Sequence, residues 1–417
     1  MKTTKKILIL LVTLCLLTSC FTACGKSEEP APAPEQEAQA DDTEEEQTDD
    51  AEEPAEEPEA ADPAEGTEAP EIQGLTFESE VEKDYADQFS VYRYEGGYKH
   101  FHIVDGDDFL LIPEGGKEPE GLPAEVTVLQ APVENIYLAA TAQMALFISM
   151  DGTDSVRMTS LKPDGWEYEE PKKLMEDDGI LFAGKYSEPD YEMLISEDCG
   201  LAIESTMIYH TPEVKEMIEE LGIPVLVDRS SYESNPIGRM EWIKFYGELI
   251  GKGEEAKAFF DSQKEKVAAL DDFPNTGKTV AFFYISTDGK AMVRKGDDYI
   301  PTMIEMAGGS YIFKDVSDDS GKSTIPMTME AFYDVAKDAD YIVYNASIDS
   351  SVKTLDDLLA KDPIIGEMKA VKDGNCWSSG GAMYQRTDIA GDMIMDFHKL
   401  LTEEDPAGDL QFITKLE

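Results

Sequence analysis

Three short stretches, "GRMEW", "MVRKG" and "YQRTD", place Arg239, Arg294 with Lys295, and Arg386 near aromatic residues in a chain whose net charge is −53. A guanidinium forks onto carboxylate or catecholate oxygens and also stacks on rings, so this combination suits a large, flat or anionic ligand. Arg239 has a plainer use as well: an ion pair with Glu233 or Glu241 near a helix start. The histidines offer less. His100 and His102 lie two apart on one strand face, half a metal site with no acidic or histidine partner at ligand spacing, and they read as exposed strand residues. His398 reads as a terminal-helix residue and His210 as a loop residue after a strand. A zinc or manganese site wants several His and carboxylate ligands, so no resident metal is expected. There is no nucleophile elbow, phosphate loop, HExxH or paired-cysteine motif, and enzyme chemistry is not expected either.

These residues need elements to hold them. Phe89–Pro113, "FSVYRYEGGYKHFHIVDGDDFLLIP", alternates apolar and polar residues around Gly96-Gly97 and Asp105-Gly106, which predicts a β-hairpin or meander. Strand and helix runs then alternate. "EVTVLQAP" is strand-like, "ENIYLAATAQMALFISM" helix-like, "CGLAIES" a strand, "TPEVKEMIEELG" a helix and "IPVLVD" a strand. Ile237–Leu270 is helical nearly throughout, interrupted by Gly251 and Gly253. Beyond it "TVAFFYIS", "YIPTMIEMAGG", "EAFYDVAKDADYIVYNAS", "LDDLLAKDPIIGEM", "GNCWSSG" and "DIAGDMIMDFHKLL" resume the alternation. The pattern is α/β with mainly parallel sheets, and it is too long for one comfortable core. Two Rossmann-like α/β lobes joined by a long interlobe helix are expected.

The N-terminal "MKTTKKILILLVTLCLLTSCFTAC" has a basic head and an apolar run too short to span a bilayer comfortably, the pattern of an export signal. "LTSC" resembles the lipobox of bacterial lipoproteins, with Cys20 as the acylated residue and Cys24, in "FTACG", as the alternative. Ser27–Glu71 holds 20 acidic residues and no basic ones. It cannot bury enough apolar surface to repay its ordering entropy and reads as a disordered tether. The acidic excess outside it argues against nucleic acid and anionic membrane as partners. Cys199 and Cys376 read as small buried residues in different lobes, without a disulfide framework. The expected organisation is a signal peptide over 1–20, an acidic tether over 21–72, an N-terminal lobe with a β-hairpin extension over 73–236, an interlobe helical segment over 237–272 and a C-terminal lobe over 273–417.

From about Glu125 onward the chain resembles the substrate-binding proteins of ABC importers for iron–siderophore, haem and vitamin B12, the class III substrate-binding fold. "AQMALFISM", "PDYEMLISEDCGLAIES", "IGRMEWIKFYGELIGKGEEAKAFF", "MIEMAGGSYIF" and "YIVYNAS" carry the resemblance by their order and spacing. "EDCGL" departs from the usual Pro-Asp, and the early hairpin is an addition. The resemblance implies one surface glutamate on each lobe that docks an arginine of the permease, which here gives Glu192 and Glu305. On a helix Met303, Ile304 and Ala307 share a face that Glu305 falls off, so exposure is expected of it.

In two-lobe binders the ligand lies between the lobes, near loops that follow strand ends. The N-lobe offers Gln130, Tyr137, Trp166, Tyr168, Tyr232 and Arg239; the C-lobe offers Tyr284, Arg294, Lys295, Tyr299, Trp377, Tyr384 and Arg386. The ligand-binding candidates taken from these are Tyr137, Trp166, Tyr232, Arg239, Arg294, Tyr299, Trp377, Tyr384 and Arg386. His210 is the histidine placed to reach the cleft, where it would cap the following helix or ligate haem iron. The implied protein is a monomeric, membrane-anchored, extracytoplasmic lipoprotein without a cofactor of its own. It would capture a ferric siderophore, haem or corrinoid for an ABC permease dimer and its ATPase. The competing readings are a chelatase-like enzyme, which turnover of a tetrapyrrole would reveal, and a surface lipoprotein for a macromolecular partner, which an exposed apolar face would reveal.

Overall fold

The computed structural model describes residues 68–417 except 177–178 and 319–322. The segment read as a signal peptide, with Cys20 and Cys24, and the segment read as an acidic tether, up to residue 67, lie outside the described residues.

The alternation over Phe89–Pro113 builds more than a hairpin. β1 (Phe77–Glu80), β2 (Phe89–Tyr94), β3 (Tyr98–Ile103), β4 (Asp108–Ile112) and β5 (Val126–Gln130) form one sheet in chain order. All its pairs are antiparallel except β4–β5. Phe89, Val91, Phe101, Ile103, Phe109 and Leu111 are buried on one face, as period-two alternation requires. The other face buries Tyr92, Tyr94 and Leu110 with Ile72. "EVTVLQAP" is a strand as expected, but it closes this sheet instead of opening the lobe.

The expectation of exposed His100 and His102 is corrected. His100 is buried, and its Nε2 lies 3.3 Å from Asp108 Oδ1, which also meets His102 Nδ1 at 3.0 Å. The acidic partner arrives from the neighbouring strand, where β3 and β4 pair His102 with Asp108.

The N-lobe sheet runs β12–β11–β6–β7–β8, parallel throughout. Its strands are β6 (Ile136–Leu138), β7 (Val156–Thr159), β8 (Leu181–Phe182), β11 (Ala202–Ser205) and β12 (Val225–Asp228), with a small ribbon of β9 (Gly184–Lys185) and β10 (Glu188–Pro189) beside it. The helices are α1 (Met144–Ser149), α2 (Glu169–Met175), α3 (Tyr191–Ser196) and α4 (Pro212–Glu220). "ENIYLAATAQMALFISM" is therefore not all helix: its first part is β6, and only its end is α1.

The chain then crosses between lobes through α5 (Pro236–Ile250) and α6 (Gly253–Ala268). Asn235 caps α5 by accepting from Ile237 N at 2.8 Å, and Gly251 ends it at φ +76. That left-handed conformation favours glycine and lets α6 fold back along α5. Almost every residue of α5 is buried, because α1, α6, α7 (Tyr299–Met306), α11 (Ala390–Thr402) and β2 surround it. Phe89 and Phe101 pack edge-on against Trp242 and Phe245 at 5.0–5.4 Å.

The C-lobe sheet runs β16–β14–β13–β17–β18–β19, with β15 beside β13. Its parallel centre is β13 (Thr279–Ile285), β17 (Tyr341–Tyr344) and β18 (Cys376–Ser378). β15 (Ser310–Tyr311) also pairs parallel to β13, while β14 (Ala291–Arg294), β16 (Thr324–Met327) and β19 (Thr414–Lys415) add antiparallel pairings. α8 (Met329–Ala336), α9 (Leu355–Lys361) and α10 (Lys369–Lys372) complete the lobe. Cys376 is buried in β18, where burial pushes its thiol up to about 12. Cys199 is half-buried after α3, and both thiols are free.

Candidate ligand-binding site between the lobes

α5 brings Pro236 and Arg239 to a point where α7 presents Tyr299 and Met303. The segment leading into α11 presents Met383, Tyr384, Arg386, Thr387 and Ile389, and α11 itself Ala390 and Met393. They enclose a cavity of about 30 Å³. No aspartate, glutamate, histidine or cysteine lines it.

The cavity is small because the lobes touch beside it. Gln385 Nε2 donates to Gly165 O at 2.8 Å, and Gln385 Oε1 accepts from Glu167 N at 2.8 Å. Thr387 Oγ1 donates to Ala142 O at 3.1 Å. Arg386 lies over the Tyr168 ring at 4.9 Å. Trp166 is buried beneath this contact, edge-on to Tyr168 at 5.9 Å, and neither Trp166 Nε1 nor Tyr168 OH has a hydrogen-bond partner among the described residues.

The charges are unevenly spent. Arg386 forks onto Asp388 with bonds of 2.7 and 2.8 Å. Arg294 pairs with Asp298 at 3.3 Å, donates to Ser323 Oγ at 2.8 Å and donates to the Tyr384 hydroxyl. Arg239 does neither of the things expected of a helix-start arginine: it pairs with neither Glu233 nor Glu241. Glu241 instead accepts the backbone N–H groups of Asp84, Tyr85 and Ala86 at 2.7–2.8 Å, and Glu233 those of Asp87 and Gln88 at 2.9 and 3.1 Å. A Cβ on Gly238 would lie 3.1 Å from Tyr85 O, so that loop sits directly on the helix. Arg239 turns the other way and stacks on the Tyr299 ring at 4.0 Å. Burial pushes the Tyr299 hydroxyl well above the ordinary phenol range and raises that of Tyr384, so both stay protonated at neutral pH.

Of the sequence-derived candidates, Arg239, Tyr299, Tyr384 and Arg386 meet at the cavity, with Arg294 behind Tyr384 and Trp166 at the adjoining contact. Others are elsewhere. Tyr137 is in the N-lobe core, donating to Gly184 O at 3.2 Å. Tyr232 lies under Arg229, whose charge meets Asp105 at 3.8 Å. Trp377 is buried in β18 beneath Lys415. Gln130 spends its amide on carbonyls of the first sheet, Lys295 pairs with Asp318 at 3.1 Å, and Tyr284 is half-buried on β13. His210 is exposed at the end of a short 3-10 turn. Sequence reasoning missed Met303, Met383 and Met393, three buried thioethers that form an adaptable, polarisable wall. Met303 lies one helical turn from Tyr299, the signal that could have revealed it.

Glu192 in the first turn of α3 and Glu305 on α7 are both exposed, and Glu305 points away from the buried Met303, Ile304 and Ala307.

The model of the periplasmic binding protein family matches residues 160–378, so β1–β5 precede the matched region. An uncharacterised lipoprotein of Methanocaldococcus jannaschii is 27% identical over 327 residues, 74% of this chain and 75% of that one. The periplasmic haem-binding protein HutB of Vibrio cholerae superposes with a TM-score of 0.53 at 18% identity, over 64% of this chain and 99% of its own. An ABC-type Fe3+-hydroxamate transport protein of Saccharomonospora viridis gives 0.50 at 19% identity, over 65% and 94%.

Proposed function

The chain belongs to the periplasmic binding protein family, the solute receptors of ABC importers, and from that premise we propose that its solute is a metal chelate: a ferric siderophore, haem or a corrinoid. The receptor would be held to the outer face of the cell membrane by a lipid on Cys20, or on Cys24, and would pass its cargo to a permease dimer with its ATPase. Glu192 and Glu305 would register the two lobes on that dimer, since rim charges steer and orient a partner more than they add affinity.

The observation that carries this reading is the lining between the lobes. Guanidinium, phenol and thioether groups bind the periphery of a complex whose metal is already coordinated; a bare hard cation needs carboxylate or imidazole ligands. A cavity of about 30 Å³ holds one or two waters. A chelate therefore enters when Gln385 and Thr387 release Gly165, Glu167 and Ala142, and re-forming those contacts would close the site over it.

Titrating the chain with ferric catecholates, ferric hydroxamates, haem and cyanocobalamin while following tryptophan emission tests the reading. Trp166, buried at the interlobe contact, reports closure. Saturation at one equivalent by one class supports it; no response to any class, confirmed by calorimetry, overturns it.

A further inference from the structure

Resting on that reading, we infer that the ligand is an anionic chelate, recognised by Arg239 through a carboxylate or catecholate oxygen at its periphery. Arg239 is singular. The chain has six arginines, and five of them pair with carboxylates: Arg93 with Glu248, Arg157 with Glu197, Arg229 with Asp105, Arg294 with Asp298 and Arg386 with Asp388. Arg239 has no ion pair or hydrogen bond among the described residues, and its guanidinium lies on the face of Tyr299. In a chain with 88 acidic residues, an arginine without an ion-pair partner, its charge felt only at longer range by the buried Asp228, at a cavity without a single acidic lining residue singles out an anion.

The surrounding carboxylates are committed elsewhere. Glu233 and Glu241 hold the 84–88 backbone. Asp228 accepts from Ser230 N and Oγ, from Gln143 at 3.2 Å and from Tyr246. Asp388 is taken by Arg386, and Asp298 by Arg294 and the cap of α7. Tyr384, which shares the lining, is engaged within the C-lobe: its hydroxyl accepts from Arg294 and, at 2.7 Å, from Asn345 Nδ2. Arg239 is thus a cationic donor of the lining that no carboxylate pairs with, and an oxyanion is the group that satisfies it. Haem propionates and catecholate oxygens share that chemistry. A cationic hydroxamate complex offers the guanidinium no net negative charge and a corrinoid only amide carbonyls and the single phosphodiester of its nucleotide loop, so both are weaker matches for Arg239.

The test compares chelates by charge in the full chain: haem, iron(III) tris-catecholate, a cationic ferric trihydroxamate and cyanocobalamin. One of the two anionic probes is expected to saturate at one equivalent at least about tenfold more tightly than either of the others, and which one does identifies the oxygen's source. Arg239→Gln should weaken it about 10- to 100-fold, and Arg239→Lys less, with the melting temperature showing that both variants are folded. Tighter binding of the hydroxamate complex or cyanocobalamin, or unchanged anion affinity in folded Arg239→Gln, would overturn the inference while leaving the receptor reading intact. Binding of none of the four overturns both.

Discussion

Gln385, from the segment before α11, and Glu167, from the loop before α2, are joined by a 2.8 Å hydrogen bond across the interlobe contact, and the same glutamine amide donates to Gly165 O at 2.8 Å. One side chain thus makes two bonds between lobes beside the cavity. Each bond of this kind contributes roughly 0.5–1.5 kcal/mol net. The two together are worth about 1–3 kcal/mol, so Gln385→Ala should speed ligand dissociation about 5- to 150-fold while association changes little, which stopped-flow measurement would separate. An unchanged off-rate would show that this contact does not gate release.

The clamp between the first sheet and α5 makes a second prediction. Glu241 is fully buried, accepts three backbone N–H groups and meets Lys244 Nζ at 2.7 Å. Removing one partner from a buried ionic cluster leaves the others desolvated without compensation, at a cost of about 3–5 kcal/mol. Glu241→Ala should lower stability by that order in urea denaturation and expose the 82–88 segment to proteolysis. Glu192→Ala, at an exposed position, should change stability by less than about 0.5 kcal/mol.

Much of this architecture was legible because it repeats with a period. Phe89, Val91, Phe101, Ile103, Phe109 and Leu111 declared the first sheet, since they recur at every second position and are all buried on one face. β6 was not legible: Ile136, Tyr137 and Leu138 are all buried, three residues carry no period, and the apolar run continues into α1. The site shows the same division. Residue type singled out Arg239, Arg294 and Arg386, but type does not say which carboxylates are already spent. Glu233 and Glu241 flank Arg239 in sequence yet bind a loop some 150 positions away. Tyr137 and Trp377 are aromatic for packing, and only their strand positions distinguish them from ligand contacts.

Glu204 gives a pH dependence. It lies in the middle of β11, fully buried, with neither carboxylate oxygen hydrogen-bonded among the described residues, and desolvation pushes its pKa up to about 8. Below the unfolded pKa both states hold the proton and ionisation costs nothing. As pH rises from about 4.5 to 8 the unfolded chain releases the proton while the folded one keeps it, so stability falls across that window and levels off above it. Glu204→Met removes the titration. Its stability relative to the parent should rise from pH 5 to pH 8 by on the order of a few kcal/mol, read as a growing difference in melting temperature. A difference independent of pH would show that Glu204 ionises normally in the folded protein.

The docking role of Glu192 and Glu305 rests on the resemblance and on exposure, and a double charge reversal tests it. Neither carboxylate forms an ion pair among the described residues, and neither lines the cavity. Reversing Glu192 in the first turn of α3 loses a favourable interaction with the helix dipole, worth about 0.3–1 kcal/mol, too little to unfold the lobe. Glu192→Lys with Glu305→Lys should therefore leave chelate affinity within about twofold. At the permease the same change turns two attractions into two repulsions, and like charges juxtaposed at an interface cost several kcal/mol. Transport into vesicles carrying the permease and its ATPase should fall to background while binding in solution persists. If binding falls with transport, the glutamates act on the ligand site; if both persist, the receptor docks through other residues.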